Sequence, residues 1–372
     1  MFKIFYAEQD ATLYQSNPYY NTGLDEILEI GKRLDTSGET LVKSRSVVKF
    51  DMSEISASLA KYNKTVNDCK FMLQLFTSHA KNLSSEYSVY AKLLAQDWTN
   101  GTGFESNITL DGVCWNYPAS GSSWYSSSQD IQIGSSTLYA VGTGEGGSYM
   151  YQSASGGSTA GLITSESFSY RTTDINMNIT DAVKVWLSGS GGASIPNYGF
   201  LLQYADSDES SNALSGYIRF FSRETHTIYV PRIVMYWDNS TFTTGSLTAV
   251  NTDSYVTYTN IKPAYKDTEI AKIRIYARDK FPQKSPTNLF PIQTVKYLPQ
   301  TTYYTVLDAA TDETIIPYDD IYTKVSCDST SNFIYLDLNG FMPERYYRLE
   351  LKVVNGIEEQ YITDQIYFKV VR

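Results

Sequence analysis

Apolar and polar side chains alternate with a period of two along much of this chain. Such alternation puts the apolar residues on one face of a strand, and turn-forming residues bound these runs at intervals of roughly 8–12 positions. The clearest runs are residues 273–276 (IRIY), 334–338 (IYLDL), 347–353 (YRLELKV) and 366–370 (IYFKV). The pattern predicts an all-β fold made of sandwiches or barrels.

Helical periodicity is sparse by comparison. Residues 180–188 place Val183 and Trp186 on one face, and Thr180 stands where an N-cap residue is expected. This segment predicts a short amphipathic helix. A weaker pattern predicts a second helix over residues 25–33.

A change in composition predicts two domains. Residues 238–246 are polar and rich in turn formers, most Pro residues follow them, and the Gly/Ser-rich tracts precede them. We therefore expect a large N-terminal domain over residues 1–240, a linker over 241–253 and a smaller β-domain over 254–372. Chain length alone allows two or three domains, each with its own core.

The Gly/Ser-rich tracts lie close together in the N-terminal half. They are residues 142–148 (GTGEGGS) and residues 153–158. Gly- and Ser-rich segments favour flexible connections. They predict one long mobile loop with a short strand inside.

Composition and charge exclude several classes of protein. The formal net charge is −10, which disfavours a groove for nucleic-acid phosphates. No apolar run approaches the roughly 18 residues that suggest a membrane span, and the first ten residues lack the apolar core of a signal peptide. We expect a protein made in the cytoplasm, without membrane or nucleic-acid partners. The three cysteines, Cys69, Cys114 and Cys327, have no paired spacing and predict small buried side chains rather than disulfides.

A series of motifs in the first 237 residues occurs in a characteristic order. It consists of DATLY (10–14), NTGL (21–24), SRSVVKFD (44–51), DWTNG (97–101), GVCWNY (112–117), Trp124, NYGFLL (197–202), YIRFFSRE (217–224) and PRIVMYW (231–237). This order resembles the DNRLRE family of disaggregatase-related domains, which are similar to carbohydrate-binding modules. The resemblance implies a jelly-roll-like β-sandwich. Residues 60–94 depart from the family pattern.

A second resemblance covers residues 254–372. The stretch LNGFMPERYYRL (338–349) is similar to the turn and following strand of immunoglobulin and fibronectin type III domains. In those domains a tyrosine hydroxyl bonds back to the preceding corner. The resemblance implies an Ig/FnIII-like β-sandwich with Tyr347 as the corner tyrosine.

The aromatic residues between positions 98 and 125 are the main candidates for a binding site. The frequency of Tyr in this chain, 32 residues against 16 Phe, also suits sheets and interfaces, because Tyr combines apolar area with one polar group. Three roles are open for these residues: packing in the core and loops, a platform that stacks on sugar rings, or a protein interface. The candidates are Trp98, Trp115, Tyr117, Trp124 and Tyr125.

Two acidic clusters are candidate ligands for a structural calcium ion. One is Asp206, Asp208 and Glu209, and the other is Glu8, Asp10 and Asn17. Calcium takes six to eight oxygen ligands from several segments, whereas a short acidic turn is more often simply solvated. Both interpretations are open, and no other cofactor is expected.

Residues for catalysis are few. His79 and His226 have no Cys or carboxylate at metal-ligand spacing, and no G-x-S-x-G motif accompanies them. We therefore expect a protein that is not an enzyme.

Three classes of function remain. The first is a structural component of a tailed bacteriophage virion, at the capsid surface, neck or collar, tail or baseplate. It would act in multiple copies by packing β-domains against other virion proteins. The second is a carbohydrate-binding or adhesion module for a cell-surface glycan, and the third is an enzyme or unrelated scaffold. The first class fits the tandem modules best.

Overall fold

The all-β prediction is confirmed by a computed structural model of the chain. The structure describes residues 1–35, 37–104, 108–126, 130–133, 137–142, 144–152, 161–169, 173–188, 195–213, 216–251 and 253–372. The strands of the first 237 residues are β1 (Phe2–Tyr6), β2 (Gln9–Tyr14), β3 (Ile27–Leu34), β4 (Leu41–Lys49), β5 (Cys69–Leu75), β6 (Thr77–Lys81), β7 (Glu86–Leu93), β8 (Asp130–Ile133), β9 (Thr137–Gly142), β10 (Tyr149–Gln152), β11 (Ile163–Ser169), β12 (Ile175–Asn178), β13 (Phe200–Tyr204), β14 (Gly216–Phe221) and β15 (Arg232–Trp237). Those that follow are β16 (Ser254–Tyr258), β17 (Ala264–Lys266), β18 (Ile270–Asp279), β19 (Thr302–Asp308), β20 (Thr314–Ile316), β21 (Ser326–Cys327), β22 (Asn332–Asp337), β23 (Tyr346–Asn355) and β24 (Glu358–Val371).

Helical elements are short. Among the described residues they are α1 (Met52–Lys61), α2 (Thr180–Ser188), α3 (Asp206–Ser210) and two 3₁₀ turns, Val66–Asp68 and Pro291–Gln293. Within the described part of the chain, no helix is both long enough and apolar enough to span a membrane.

The chain divides into two compact units. The larger unit is Phe5–Met235, and the smaller unit combines Met1–Ile4 with Tyr236–Arg372. The first four residues belong to the smaller unit through backbone and ring contacts. The Met1 amino group donates to the carbonyl oxygen of Trp237 at 2.7 Å, and the Phe2 ring lies 5.5 Å from that of Phe341.

The described strands of the first 237 residues form three sheets. One has the order β1-β15-β5-β12 and another β10-β9-β8. The largest runs β11-β7-β13-β4-β3-β14-β6, with β2 also paired to β4. Every residue of β13 is buried, whereas β14 alternates buried and half-buried positions. The largest sheet therefore has a central strand covered on both faces and an outer region with one accessible face.

The helix prediction is confirmed for α2 and wrong for residues 25–33. Helix α2 has the predicted bounds and buries Val183 and Trp186. The Thr180 hydroxyl accepts a hydrogen bond from the Phe71 backbone N–H at 2.9 Å, and this bond joins the helix to β5. Residues 25–33 instead form most of β3, paired to β14 and β4. Gly31 belongs in that strand because an added Cβ would lie 2.6 Å from the Cβ of Tyr217.

The smaller unit has the strand order of an immunoglobulin-like sandwich. One sheet runs β16-β18-β22-β21, which matches the A-B-E-D order of that fold, and the other runs β17-β24-β23-β19-β20. Strand β17 is parallel to β24. The four alternating runs noted in the sequence lie in β18, β22, β23 and β24, with alternate residues buried along β18 and β23. The period-two prediction is thus confirmed in β18 and β23, whereas β22 is buried at nearly every position.

Tyr347 occupies the predicted corner. It lies near the start of β23, and its hydroxyl donates to the carbonyl oxygen of Met342 at 3.1 Å. The bond joins the strand to the turn that leads into it, as a tyrosine corner does.

We expect Tyr347→Phe to destabilise the smaller unit by about 1 kcal/mol, because the Met342 carbonyl loses a hydrogen bond while the ring packing remains. Urea unfolding would measure the loss. Tyr346→Phe is the matched control, since Tyr346 is the neighbouring residue and is exposed. Equal stabilities for the two variants would contradict a structural role for the corner bond.

Candidate functional site

The three tryptophans of the predicted platform are buried. Trp98, Trp115 and Trp124 lie in one core cluster together with Val47 and Leu201. The Trp98 indole N–H donates to the Tyr198 carbonyl at 2.8 Å, and that of Trp124 donates to the Cys114 carbonyl at 3.1 Å. No indole face is left for a sugar ring, so the packing interpretation describes these residues in the structure.

Contact with Trp115 explains why a glycine stands at position 146 of the glycine-rich tract. Gly146 has a φ of +76°, and a Cβ there would lie 2.7 Å from the Trp115 ring. The Gly146 backbone N–H donates to the Trp115 carbonyl at 2.7 Å. Residues 144–148 are therefore packed against the core, and the expectation of a mobile loop is wrong for them. The expected short strand is β10, and residues 153–158 lie outside the described residues.

Tyr117 and Tyr125 are half-buried and belong to separate surroundings. Tyr117 pairs with the ring of Tyr19 at 6.1 Å and lines a cavity of about 250 Å³ with Leu110. The carbonyl of Tyr125 accepts a hydrogen bond from the Ser148 hydroxyl at 2.6 Å. The five predicted aromatic residues thus do not form one exposed surface.

Two acids of the first proposed calcium cluster bind cationic side chains through their carboxylates, and the third accepts a lysine bond through its backbone carbonyl. Both oxygens of Asp206 lie 2.8 Å from Lys92 Nζ, and Glu209 forms a two-bond pair with Arg45 at 3.1 and 2.6 Å. Lys32 donates to the Asp208 carbonyl at 2.6 Å. These bonds fasten helix α3 to the buried strands β3, β4 and β7.

The second proposed cluster is also dispersed. Asp10 is buried and accepts the Arg223 backbone N–H at 2.6 Å, while Glu8 and Asn17 are exposed. Across the residues that the structure describes, no group of three or more His, Cys, Asp or Glu side chains could hold a metal ion.

The histidines and cysteines have ordinary surroundings. His79 lies beside the Tyr217 ring at 5.9 Å, and His226 is an exposed residue 3.7 Å from Glu26. Burial raises the pKa values of Cys69 and Cys327 to about 11. At neutral pH these thiols are protonated and therefore poor nucleophiles.

A cleft opens on the accessible face of the largest sheet, at the end of β2 and β3. It has a volume of about 470 Å³, within the range of small-molecule sites. The aromatic side chains lining it are Tyr14, Tyr20 and Phe104, and the charged ones are Asp25, Glu26, Arg33 and Arg219.

A buried carboxylate anchors the arginines of this cleft. Glu29 is fully buried, and its oxygens lie 2.9 Å from Arg219 Nε and 3.3 Å from Arg33 Nη2. The Ser44 hydroxyl donates to Glu29 at 3.0 Å. The register places Arg219 directly opposite Glu29, on the same face of the sheet. Both guanidinium groups are therefore held in position before any ligand arrives.

Tyr14 is electrostatically coupled to the same carboxylates. Burial raises the pKa of Tyr14 above its ordinary value, and the charges of Glu29 and Asp25 raise it further. The hydroxyl remains protonated near neutral pH and retains its capacity to donate a hydrogen bond.

Sequence reasoning missed the cleft. Its residues come from positions 14 to 219, and only the fold brings them together. One local signal was available, because Glu29, Lys32 and Arg33 place three charges in a strand whose other residues are apolar or glycine. Charged residues are rarely fully buried unless paired.

A second notable surface is a long loop of the smaller unit. Residues 280–301 connect β18 to β19. The connection includes the 3₁₀ turn Pro291–Gln293 and is longer than most connections in compact domains. Four of its large apolar side chains are exposed: Phe281 (73%), Leu289 (64%), Phe290 (66%) and Ile292 (57%). We therefore call residues 280–301 the apolar loop.

Comparison with known proteins gives no relative that assigns a function. No family model matches the sequence, and no curated protein matches it. Among solved structures, two crystal structures of the Parabacteroides merdae β-glucuronidase are similar at 12% and 9% identity, with TM-scores of 0.17 and 0.16. The matches cover 80% and 96% of this chain but 28% and 36% of the glucuronidase chains, so this chain spans about a third of their length.

Proposed function

We propose that the protein is a non-enzymatic structural component of a tailed bacteriophage virion, located at the capsid surface, neck or collar, tail or baseplate. The observation that carries the proposal is the apolar loop. Exposed apolar groups concentrated in one segment are characteristic of surfaces that bind other proteins. Aromatic residues in particular are enriched at the centres of protein interfaces.

The proposed mechanism is assembly by packing of rigid β-units. The Ig-like sandwich supplies a stable support for the loop, because the strands at its two ends, β18 and β19, are each paired with a strand on either side. Leu289 and Phe290 would insert into a neighbouring virion protein. Repetition of a modest contact in many symmetric copies then gives a strong attachment. The order of motifs that resembles the DNRLRE family supports the same assignment.

Quantitative mass spectrometry of purified particles tests the proposal. The phage source of the gene is grown, its particles are purified, and the copies of this chain per particle are counted against the major capsid protein. We expect a fixed number that matches a ring or shell symmetry. Particles that lack the chain would overturn the proposal.

We expect the double substitution Leu289→Ser and Phe290→Ser to lower incorporation into particles at least about tenfold, because it removes interface anchors without touching a core. The copy number per particle is the readout. Leu110→Ser in the larger unit is the control, since Leu110 is an equally apolar residue with 55% exposure. Unchanged incorporation of the double variant would show that another surface makes the attachment.

A further inference from the structure

We propose that the cleft of the larger unit receives the apolar loop of a second copy of this chain. The proposal rests on the assembly role proposed above, because it names the neighbouring protein into which Leu289 and Phe290 insert. The loop and the cleft belong to different units. The contact is therefore head-to-tail, since each copy offers its loop to one neighbour and its cleft to another.

The tip of the apolar loop is held in a fixed shape. Ser285 and Asn288 exchange two backbone hydrogen bonds at 3.1 and 3.0 Å, and the side-chain amide of Asn288 donates to the Thr294 hydroxyl at 2.9 Å. Leu289 and Phe290 follow this turn directly and are exposed. Because the segment that carries these two side chains is already ordered, binding loses less conformational entropy than it would with an unstructured loop.

The cleft has the size and the lining that these side chains require. Its volume of about 470 Å³ lies within the range of sites that enclose whole small molecules. The half-buried rings of Tyr14 and Tyr20 line it, and the exposed ring of Phe104 lies beside them. Contact between Phe104 and an incoming Phe290 would remove apolar area of both rings from water, and aromatic pairs gain further from offset or edge-to-face packing.

The two arginines of the cleft also favour an aromatic occupant. Arg33 and Arg219 are both held by the buried Glu29. Their guanidinium carbons lie 5.4 and 4.9 Å from the centroid of the Tyr217 ring. A guanidinium group is planar and is attracted to the faces of aromatic rings, so a phenyl ring that enters beside these groups gains a second favourable contact.

The loop and the cleft carry opposite charge. The apolar loop contains three lysines and no acidic residue, and Lys280 and Lys284 are exposed. Around the cleft, the carboxylates of Asp25, Glu26 and Glu29 outnumber the two guanidinium groups, and Glu26 is exposed. Opposite charges around an interface accelerate association and select the partner. A second copy of this chain supplies a loop of the sign that the cleft requires.

The proposed contact also accounts for a fixed copy number. An apolar segment that fits a cleft elsewhere on the same molecule makes a heterologous interface. Such an interface produces a ring where the rotation between copies closes, and a filament where it does not. A closed ring agrees with the ring symmetry expected for the particle.

Self-association of the full chain tests the proposal. Sedimentation equilibrium would compare the wild type with a loop variant, Leu289→Ser with Phe290→Ser, and with a cleft variant, Phe104→Ala. Leu110→Ser is the matched control, because Leu110 is an exposed apolar residue of the larger unit that lines a separate cavity. We expect the wild type and the control to associate with increasing concentration, and the Kd of each of the other variants to rise at least about tenfold.

A mixture of the two variants distinguishes a head-to-tail contact from a contact between two loops. The cleft variant keeps an intact loop, and the loop variant keeps an intact cleft. We therefore expect the mixture to form one-to-one dimers that grow no further. A cleft variant that associates as tightly as the wild type would overturn the proposal. A mixture that stays monomeric while the wild type associates, or a wild type that is monomeric at every concentration, would overturn it too.

These outcomes are separate from those of the particle measurement. A monomeric chain that is nevertheless present in particles at a fixed copy number would overturn the head-to-tail contact and leave the virion role intact. A chain that associates through its loop and cleft but is missing from particles would overturn the virion role alone.

Discussion

Trp115→Ala is expected to destabilise the larger unit by about 3–5 kcal/mol, the usual cost of removing a large buried aromatic side chain. The Trp115 ring is buried, lies 5.3 Å from the Arg45 guanidinium carbon and is covered by Gly146. Removal of the ring leaves a cavity and leaves the buried Arg45 guanidinium without its aromatic contact. Urea unfolding monitored by tryptophan fluorescence would measure the loss, because four of the five tryptophans belong to the larger unit.

Phe104→Ala serves as the control for this measurement. Phe104 is an exposed aromatic residue of the same unit, and surface substitutions usually change the free energy of unfolding by less than about 0.5 kcal/mol. A Trp115→Ala variant as stable as Phe104→Ala would contradict the packing role of Trp115. If that stable variant also lost glycan binding, the sugar platform would be the correct interpretation.

The strands were predictable where one face of a sheet is accessible to solvent. Strands β18 and β23 alternate buried and half-buried positions, so their sequences carry the period of two. Helix α2 was predictable for the corresponding reason, since its apolar residues follow the helical period. In both cases the local sequence and the tertiary environment favour the same structure.

Strand β3 was misassigned because its charges are buried. Glu29 and Lys32 look like the polar face of a helix in the sequence, but the structure pairs them with groups far along the chain. Glu29 binds Arg219, and Lys32 donates to the Asp208 carbonyl. A pairing across that distance leaves no periodic signal, so local patterns favoured the wrong element.

The candidate site was harder to predict than the fold for a related reason. The sequence identifies which residues are aromatic, whereas exposure depends on contacts between distant segments. Trp115 is buried beneath Arg45, which is itself fixed by Glu209, 164 positions away. Phe104 carried no signal of its own, and its exposure beside Arg219 follows only from the assembled sheet.

Asp10 is expected to make the stability of the larger unit fall as the pH rises from about 4 to 7. Burial raises the pKa of Asp10 from 3.8 to about 7, although the hydrogen bond from the Arg223 backbone N–H and the Arg223 charge oppose the shift. Between these two pH values the folded state keeps a proton that the unfolded state has lost. Stability is therefore greatest below pH 4, declines through the window, and is constant with respect to this group above pH 7.

A comparison with Asp10→Asn isolates this contribution. Asparagine is uncharged at every pH, and its side-chain oxygen can still accept the Arg223 N–H. We expect the wild type to be less stable than Asp10→Asn by about 4 kcal/mol at pH 8, from roughly three pKa units at 1.36 kcal/mol each. The two proteins should approach equal stability near pH 4. Urea unfolding across this range provides the measurement, and a difference independent of pH would mean that Asp10 ionises with an ordinary pKa.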